Sequence, residues 1–126
     1  MQGPAAPLAA GPLNAAIAND VGRIVAAHTG RGATRSRAFV EQDVVVCLLE
    51  DGVTKMERTL VAAGRDELVR RARDAVQRAM EAELVAAVER LTKRSVLTFL
   101  SGSSTLGEVS VEVFVLVPES DPVRPG

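Results

Sequence analysis

Residues 30–57, GRGATRSRAFVEQDVVVCLLEDGVTKME, contain a helix stop, two strands, a tight turn and a helix start. Gly30 is placed to end a helix, because glycine adopts the left-handed C-cap conformation without strain. Two runs follow, Thr34–Val40 and Val44–Leu49, and the short polar loop between them predicts a β-hairpin. The sequence TKME at residues 54–57 has the spacing of a capping box, which predicts that a second helix begins there and runs to about residue 63.

Outward from this stretch, the sequence predicts two further helices and a second hairpin. Residues 12–28 and 66–91 repeat apolar side chains at spacings of three and four, which is typical of helices. Residues 95–100 and 108–117 predict the third and fourth strands, joined by the loop SGSSTLG. The order αββααββ indicates an α+β fold. We expect a two-layer sandwich, with a four-stranded, mostly antiparallel sheet and the helices on one face.

The fourth strand alternates strictly, and this predicts which of its faces is buried. One face carries Val109, Val111, Val113, Val115 and Val117. We expect this valine face to lie against the long helix, because it is uniformly apolar. Since the strand comes last in the chain, we also expect it at a sheet edge, where a long β-branched strand must be paired or covered. The sequence therefore predicts a homodimer that forms at this edge.

Composition indicates a single domain over residues 11–117, with flexible proline-containing tails at 1–10 and 118–126. Apolar residues make up 47% and charged residues 25% of the chain, as in globular proteins. A net charge of -1 and an aromatic content of 2% argue against a nucleic-acid-binding protein. No apolar run is long enough to span a membrane. The single cysteine, Cys47, fits a reducing compartment, so we expect a cytoplasmic protein.

The candidate ligand-binding or partner-binding residues are Gly30, Arg31, Gly32, Arg35 and Arg37. Glycines let backbone amides approach an anion, and guanidinium groups bind carboxylate or phosphate in a bidentate manner. The alternative interpretation is a helix end, the beginning of a strand and solvated arginines. The spacing matches neither a phosphate-binding loop that opens a helix nor a dinucleotide-binding fingerprint.

His28 and Cys47 are the only histidine and the only cysteine. His28 as a general base has no serine or cysteine close to it in sequence, and near a helix end it is expected to pack and to cap carbonyl groups. Cys47 lies within VVVCLL and is expected to be a small buried apolar side chain. One histidine and one cysteine do not predict a zinc site. The sequence therefore predicts no catalytic residue, metal or cofactor, and an enzyme is the less expected class.

Several marks taken together resemble one small bacterial family. In chain order they are Gly30-Arg31-Gly32, the arginine-bearing strand, Asp43 before VVVCLLEDGVT, Glu57 with Leu60, Val69 with Arg73, Thr92-Lys93-Arg94-Ser95-Val96 and Val113-Phe114-Val115-Leu116. This set is similar to the MpsC-like family, a domain of unknown function whose label is a Na+-translocating, membrane-potential-generating system. The resemblance covers about residues 11–117. Ala33 stands where the family pattern has proline, and Lys93 where it has glycine.

The resemblance implies an accessory role in such a system, and it carries over no catalytic residue. The leading hypothesis is a non-enzymatic accessory or regulatory protein of the cytoplasm that binds a protein partner, either at a membrane complex or peripheral to the membrane. Two alternatives stay open. One is a small-anion or nucleotide sensor built on residues 30–37, and the other is a small hydrolase or transferase that uses His28.

Overall fold

The computed structural model describes residues 10–30, 35–50, 52–104 and 108–119. The helices and strands are α1 Ala10–Thr29, β1 Arg35–Glu41, β2 Val44–Glu50, α2 Lys55–Ala62, α3 Asp66–Thr92, β3 Val96–Ser103 and β4 Val109–Leu116. The predicted order αββααββ and the four-stranded antiparallel sheet are confirmed. The largest difference is in β3, which continues past its predicted end at Leu100. Most of the two predicted tails lies outside the described residues.

The strand order across the sheet is β1-β2-β4-β3, and every neighbouring pair is antiparallel. β4 is therefore an interior strand, and the prediction that it lies at a sheet edge is wrong. Position in the chain was a poor guide because β4 pairs with the distant strand β2 as well as with its hairpin partner β3. The edges of the sheet are β1 and β3, so the edge-strand argument for a homodimer does not hold.

The prediction that the valine face of β4 packs on the long helix is also wrong. Glu112, Phe114 and Leu116 face the helices and are buried. The opposite face carries four valines that are half-buried or exposed, Val109, Val111, Val113 and Val115. Side chains alternate along a strand, so only one of these two sets can face the core. The larger Phe114 and Leu116 side chains take that place.

The core lies between the sheet and the two long helices. Its fully buried apolar members are Ile17, Val21, Val45, Cys47, Met80, Leu84, Val88, Phe114 and Leu116. Within it, the rings of Phe99 and Phe114 lie 5.0 Å apart between centroids. α1 approaches β1 closely at Gly22, where an added Cβ atom would lie 3.0 Å from the hydroxyl oxygen of Ser36. Close packing therefore accounts for a glycine inside this helix.

The predicted apolar stripe of α3 reaches the core from Val76 onward and not in the first turns of the helix. Met80, Leu84 and Val88 are buried, whereas Leu68 and Ala72 in the N-terminal half are exposed. α2 buries none of its residues. α2 and the N-terminal half of α3 together form a roof above the sheet, and the space beneath this roof is a cavity described below.

The predicted helix ends at Gly30 and Thr54 are confirmed. The Thr54 hydroxyl accepts a hydrogen bond from the Glu57 amide at 3.1 Å, and a Glu57 carboxylate oxygen accepts one from the Thr54 amide at 2.9 Å. Gly30 follows α1 with a φ of 79°. Lys93 ends α3 with a φ of 61°, in the left-handed region that favours glycine. The departure from the family pattern at Lys93 therefore falls at a backbone conformation that costs about 1 kcal/mol for a side-chain-bearing residue.

Arg94 holds together one end of the sheet. Its Nη1 donates to the carbonyl of Gln42 at 2.9 Å, and its Nη2 donates to the carbonyl of Val117, also at 2.9 Å. Nη2 also pairs with the Asp43 carboxylate at 2.5 Å. A single, largely buried guanidinium thus joins the β1–β2 turn, the end of β4 and the connection from α3 to β3.

We expect Leu84→Ala to lower the free energy of unfolding by about 2–5 kcal/mol, because Leu84 is fully buried. Val46 is half-buried on the sheet side away from the helices, so Val46→Ala should cost less. Arg71→Ala is the control and should change stability by no more than about 0.5 kcal/mol, because Arg71 is exposed.

Denaturant midpoints measured on monomeric protein compare the three variants. Equal losses for Leu84→Ala and Val46→Ala would contradict this assignment of the two sheet faces.

Candidate functional site

A cavity of about 470 Å³ lies between the helix-facing side of the sheet and the roof formed by α2 and α3. Its apolar walls include Val25, Leu49, Val69, Val76, Met80 and Phe99. Its floor is polar, because β3 and β4 contribute Ser101, Ser110 and Glu112. Both the volume and the combination of apolar walls with a few polar groups are typical of small-molecule binding sites.

Glu112 is the fully buried charged residue at this floor. Gln77 Nε2 on α3 donates a hydrogen bond to Glu112 Oε2 at 2.7 Å. Among the described residues, Glu112 Oε1 has no hydrogen-bond partner, and neither has Gln77 Oε1. Burial raises the pKa of Glu112 to about 7, although hydrogen bonds from Ser101 and Gln77 oppose the shift. Glu112 therefore exchanges its proton close to neutral pH.

Cys47 lies directly across from Glu112 in the β2–β4 pairing. The predicted burial of this thiol is confirmed. Burial raises the pKa of Cys47 to about 12, and the negative charge of Glu112 adds to the shift. The thiol therefore stays protonated at neutral pH, which does not suit a nucleophile.

A salt bridge ties α2 to α3 at the side of the cavity. Arg73 Nη2 donates to Glu57 Oε1 at 2.8 Å, and Arg73 Nε lies 2.8 Å from Glu57 Oε2. Both side chains are largely buried, and Glu57 is also the acidic member of the α2 capping box. Glu57 thus connects the beginning of α2 to the roof of the cavity.

His28 lies at the rim of the cavity, where its Nε2 is 2.7 Å from Glu83 Oε1. This contact joins α1 to α3, and the partner is a carboxylate on the helix surface. The geometry of His28 is that of a helix-to-helix contact, and its use in a hydrolase or transferase stays a prediction.

The five candidate binding residues from the sequence are only partly visible in the structure. Gly30 follows the last residue of α1, and Arg31 and Gly32 lie outside the described residues. Arg35 and Arg37 lie on β1 on the sheet side away from the helices, on one face as their alternation predicts.

Arg35 and Arg37 share a carboxylate. Glu50 Oε1 lies 3.2 Å from Arg37 Nη2 and 4.0 Å from Arg35 Nε. The Arg37 guanidinium also lies 5.9 Å from the centroid of the Phe39 ring. Glu50 offsets part of the positive charge of this pair, so any anion would compete with it. The anion-binding interpretation of residues 30–37 stays a prediction.

The sheet side away from the helices is named here the outer face. Its side chains form four rows across the strands: Glu41–Val44–Val115–Thr98, Phe39–Val46–Val113–Leu100, Arg37–Leu48–Val111–Gly102 and Arg35–Glu50–Val109. In these four rows the charged groups lie on β1 and at Glu50, and the centre is apolar. Phe39 is 47% exposed and Leu100 57% exposed, because the helices lie on the opposite side of the sheet.

The set of sequence marks that resembled the MpsC-like family extends over these same elements. A family model described as Na+-translocating membrane potential-generating system (MpsC) matches residues 9–117. The chain belongs to the MpsC family. No curated protein and no solved structure matches the chain. In the described ranges of this MpsC-family chain, no helix is both long and apolar enough to cross a membrane.

The sequence reasoning missed Glu112 because it assigned the valine face of β4 to the core. Glu112 then fell on the face expected to meet solvent, where a carboxylate needs no explanation. One signal was present, since Glu112 is the single charged residue in VSVEVFVL and shares its face with Phe114 and Leu116. A lone carboxyl between large apolar side chains on one face of a strand indicates a buried acid.

We expect Glu112 to make the protein less stable as the pH rises. A glutamate in the unfolded chain titrates near 4.5, whereas Glu112 in the folded chain keeps its proton up to about 7. Between these pH values the folded state binds more protons, so the free energy of unfolding falls as the pH rises and levels off above about 7. The raised pKa corresponds to a loss of about 3 kcal/mol.

Glu112→Gln should remove this pH dependence, because the amide is neutral throughout. Glu41→Gln, an exposed acid on the same sheet, should keep it. Urea unfolding of the wild type and both variants, measured below pH 4.5 and above about pH 7, isolates the contribution of Glu112. A slope in Glu112→Gln equal to that of the wild type would show that this carboxyl does not titrate with a raised pKa.

Proposed function

We propose that this chain is a non-enzymatic accessory or regulatory protein of the Na+-translocating system named by its family, and that it acts by binding a protein partner. The observation that carries the proposal is the outer face, whose apolar centre none of the described helices covers. Monomeric proteins rarely expose contiguous apolar patches larger than a few hundred Å². The family description supports the link to a membrane system. A cytoplasmic location, peripheral to the membrane, belongs to the same proposal.

The outer face has the area of a weak or transient interface. Strands of seven or eight residues rise about 3.3 Å per residue, and the four strands lie about 4.8 Å apart. The face therefore measures roughly 450 Å² before the relief of its side chains is counted. Specific, stable interfaces bury about 600–1,000 Å² of accessible surface on each partner. The outer face, at roughly 450 Å², is below that range and corresponds to a weak dimer.

The partner proposed for the outer face is a second copy of this chain. A two-fold axis that lies between the two outer faces, perpendicular to the strands, would place β1 over β1 of the second copy. The two β1 strands would then run in opposite directions. Glu41 would then face the second copy's Arg35, and Leu100 would lie over the second copy's Gly102, which has no side chain. The charges and the shape of the outer face are thus complementary to those of the same face on a second copy. The expected homodimer forms through this face and not through an edge strand.

In sedimentation experiments, we expect the wild-type chain to be a dimer at about 50 micromolar. Val113→Lys places a charge in the centre of the face and should give a monomer. Leu68→Lys is the matched control, since Leu68 is a partly exposed apolar residue on α3, and this variant should remain dimeric. A monomeric wild type, or a dimeric Val113→Lys variant, would contradict the proposal. Binding of the monomer to lipid vesicles would assign the face to a membrane instead.

A charge exchange tests the orientation of the two copies. Glu41→Arg should weaken the dimer by roughly threefold or more, because it faces Arg35 of the second copy. Adding Arg35→Glu to the same chain restores opposite charges across the interface and should recover the affinity. A double variant that associates no better than Glu41→Arg would show that the two copies meet in another orientation.

A further inference from the structure

We propose that the cavity above Glu112 binds a small organic cation, a ligand with one protonated amine and a compact apolar body. This inference concerns the helix-facing side of the sheet and does not depend on how the outer face is used. It rests on the unpartnered oxygens at the floor, the balance of charge around the cavity and the character of its walls.

The floor of the cavity offers acceptors that have no donors. Glu112 Oε1 and Gln77 Oε1 both lack a hydrogen-bond partner among the described residues, and Glu112 is fully buried. Of the two guanidinium groups that line the cavity, the one on Arg73 is engaged by Glu57. A buried carboxylate oxygen without a donor is costly, and an ammonium group carries three donors and the opposite charge. A protonated amine therefore complements this floor.

The charged groups around the cavity also favour a cation. The lining includes four carboxyl groups and two guanidinium groups, together with one imidazole: Glu57, Asp74, Glu81, Glu112, Arg73, Arg78 and His28. These groups come from α1, α2, α3 and β4. The other two strands that border the cavity, β2 and β3, contribute no charged or titratable lining group among the described residues. With Glu112 ionised, acids outnumber bases, and the local potential is negative.

The walls indicate that the cation is organic. Leu49, Val69, Met80 and Phe99 present apolar surface to the cavity, and about 470 Å³ accommodates a compact alkyl or aromatic body. A bare metal ion would require several oxygen or nitrogen ligands. Within the described residues no group of three or more histidine, cysteine or acidic side chains is placed to hold one.

Gln77 keeps its place when the ligand binds. Its amide nitrogen donates to Glu112 Oε2, and its side chain is half-buried at the cavity wall. An ammonium group that donates to Glu112 Oε1 and Gln77 Oε1 leaves this hydrogen bond intact, because both of those oxygens lack a partner among the described residues. α2, which borders the cavity, buries none of its own residues.

Calorimetric titration with n-hexylamine, n-hexanol and hexanoate tests the ligand class. We expect hexylamine to bind the wild type and a Glu108→Gln control equally, because Glu108 is an exposed acid that neither lines the cavity nor belongs to the rows of the outer face. Glu112→Gln should bind it about tenfold more weakly or worse, because only the charge-assisted hydrogen bond is lost. Hexanol and hexanoate should bind the wild type less tightly than hexylamine. Equal binding of hexanol, no binding of hexylamine, or unchanged affinity in Glu112→Gln would each overturn the inference.

A second measurement uses the wild type alone and does not require a variant to fold. Carbon-detected NMR of the Glu112 carboxyl reports its own titration, separately from His28, Glu57, Asp74 and Glu81. Hexylamine prefers the ionised carboxylate, so its affinity should rise as the pH rises through about 7. By linkage, saturating hexylamine should move the midpoint of the Glu112 resonance to lower pH. A midpoint that does not move would overturn the inference.

Discussion

The period of two along β4 is the constraint on which the rest of the structure depends. Phe114 and Leu116 fill the core beneath α1 and α3, and once they face inward, Glu112 must face inward too. The same alternation turns the valines outward, to the side of the sheet opposite the described helices. A buried carboxyl in a cavity and an apolar sheet face open to a partner are therefore two consequences of one packing choice.

The position of β4 inside the sheet fixes which of its side chains face the core. Its backbone pairs with β2 on one side and with β3 on the other, so a slip of one residue would break both ladders. Arg94 reinforces the arrangement at one end, where it binds the β1–β2 turn and the residue after β4 at once. The carbonyl of Asp43 in that turn also accepts from the Leu116 amide at 2.7 Å. These contacts involve residues that belong to the sequence marks of the family.

Local signals were sufficient to predict the elements and most of their ends, although β3 continues past its predicted end. The glycine at 30, the capping box at Thr54 and the spacing of α3 each act within a few residues, and the structure has all three. The strand order and the buried face of β4 depend instead on contacts between distant parts of the chain. Both faces of β4 are apolar, so composition alone favoured the more uniform valine face. The cavity was unpredictable for a related reason, because the stripe of α3 does not show where the helix leaves the sheet.

The cavity combines a rigid floor with a loosely held roof. Its floor is an interior strand whose backbone is paired on both sides, which keeps the Glu112 side chain in place without help from a ligand. The N-terminal half of α3 forms the roof together with α2, a short helix with no buried residue that the Glu57–Arg73 pair joins to α3. Elements with so little buried surface open at low cost in free energy. Such a site can admit a ligand by movement of the roof. The Glu112 carboxyl that recognises the ligand meanwhile keeps its position on the sheet. Because the outer face is the other side of the same rigid strand, opening of the roof need not disturb a partner bound there.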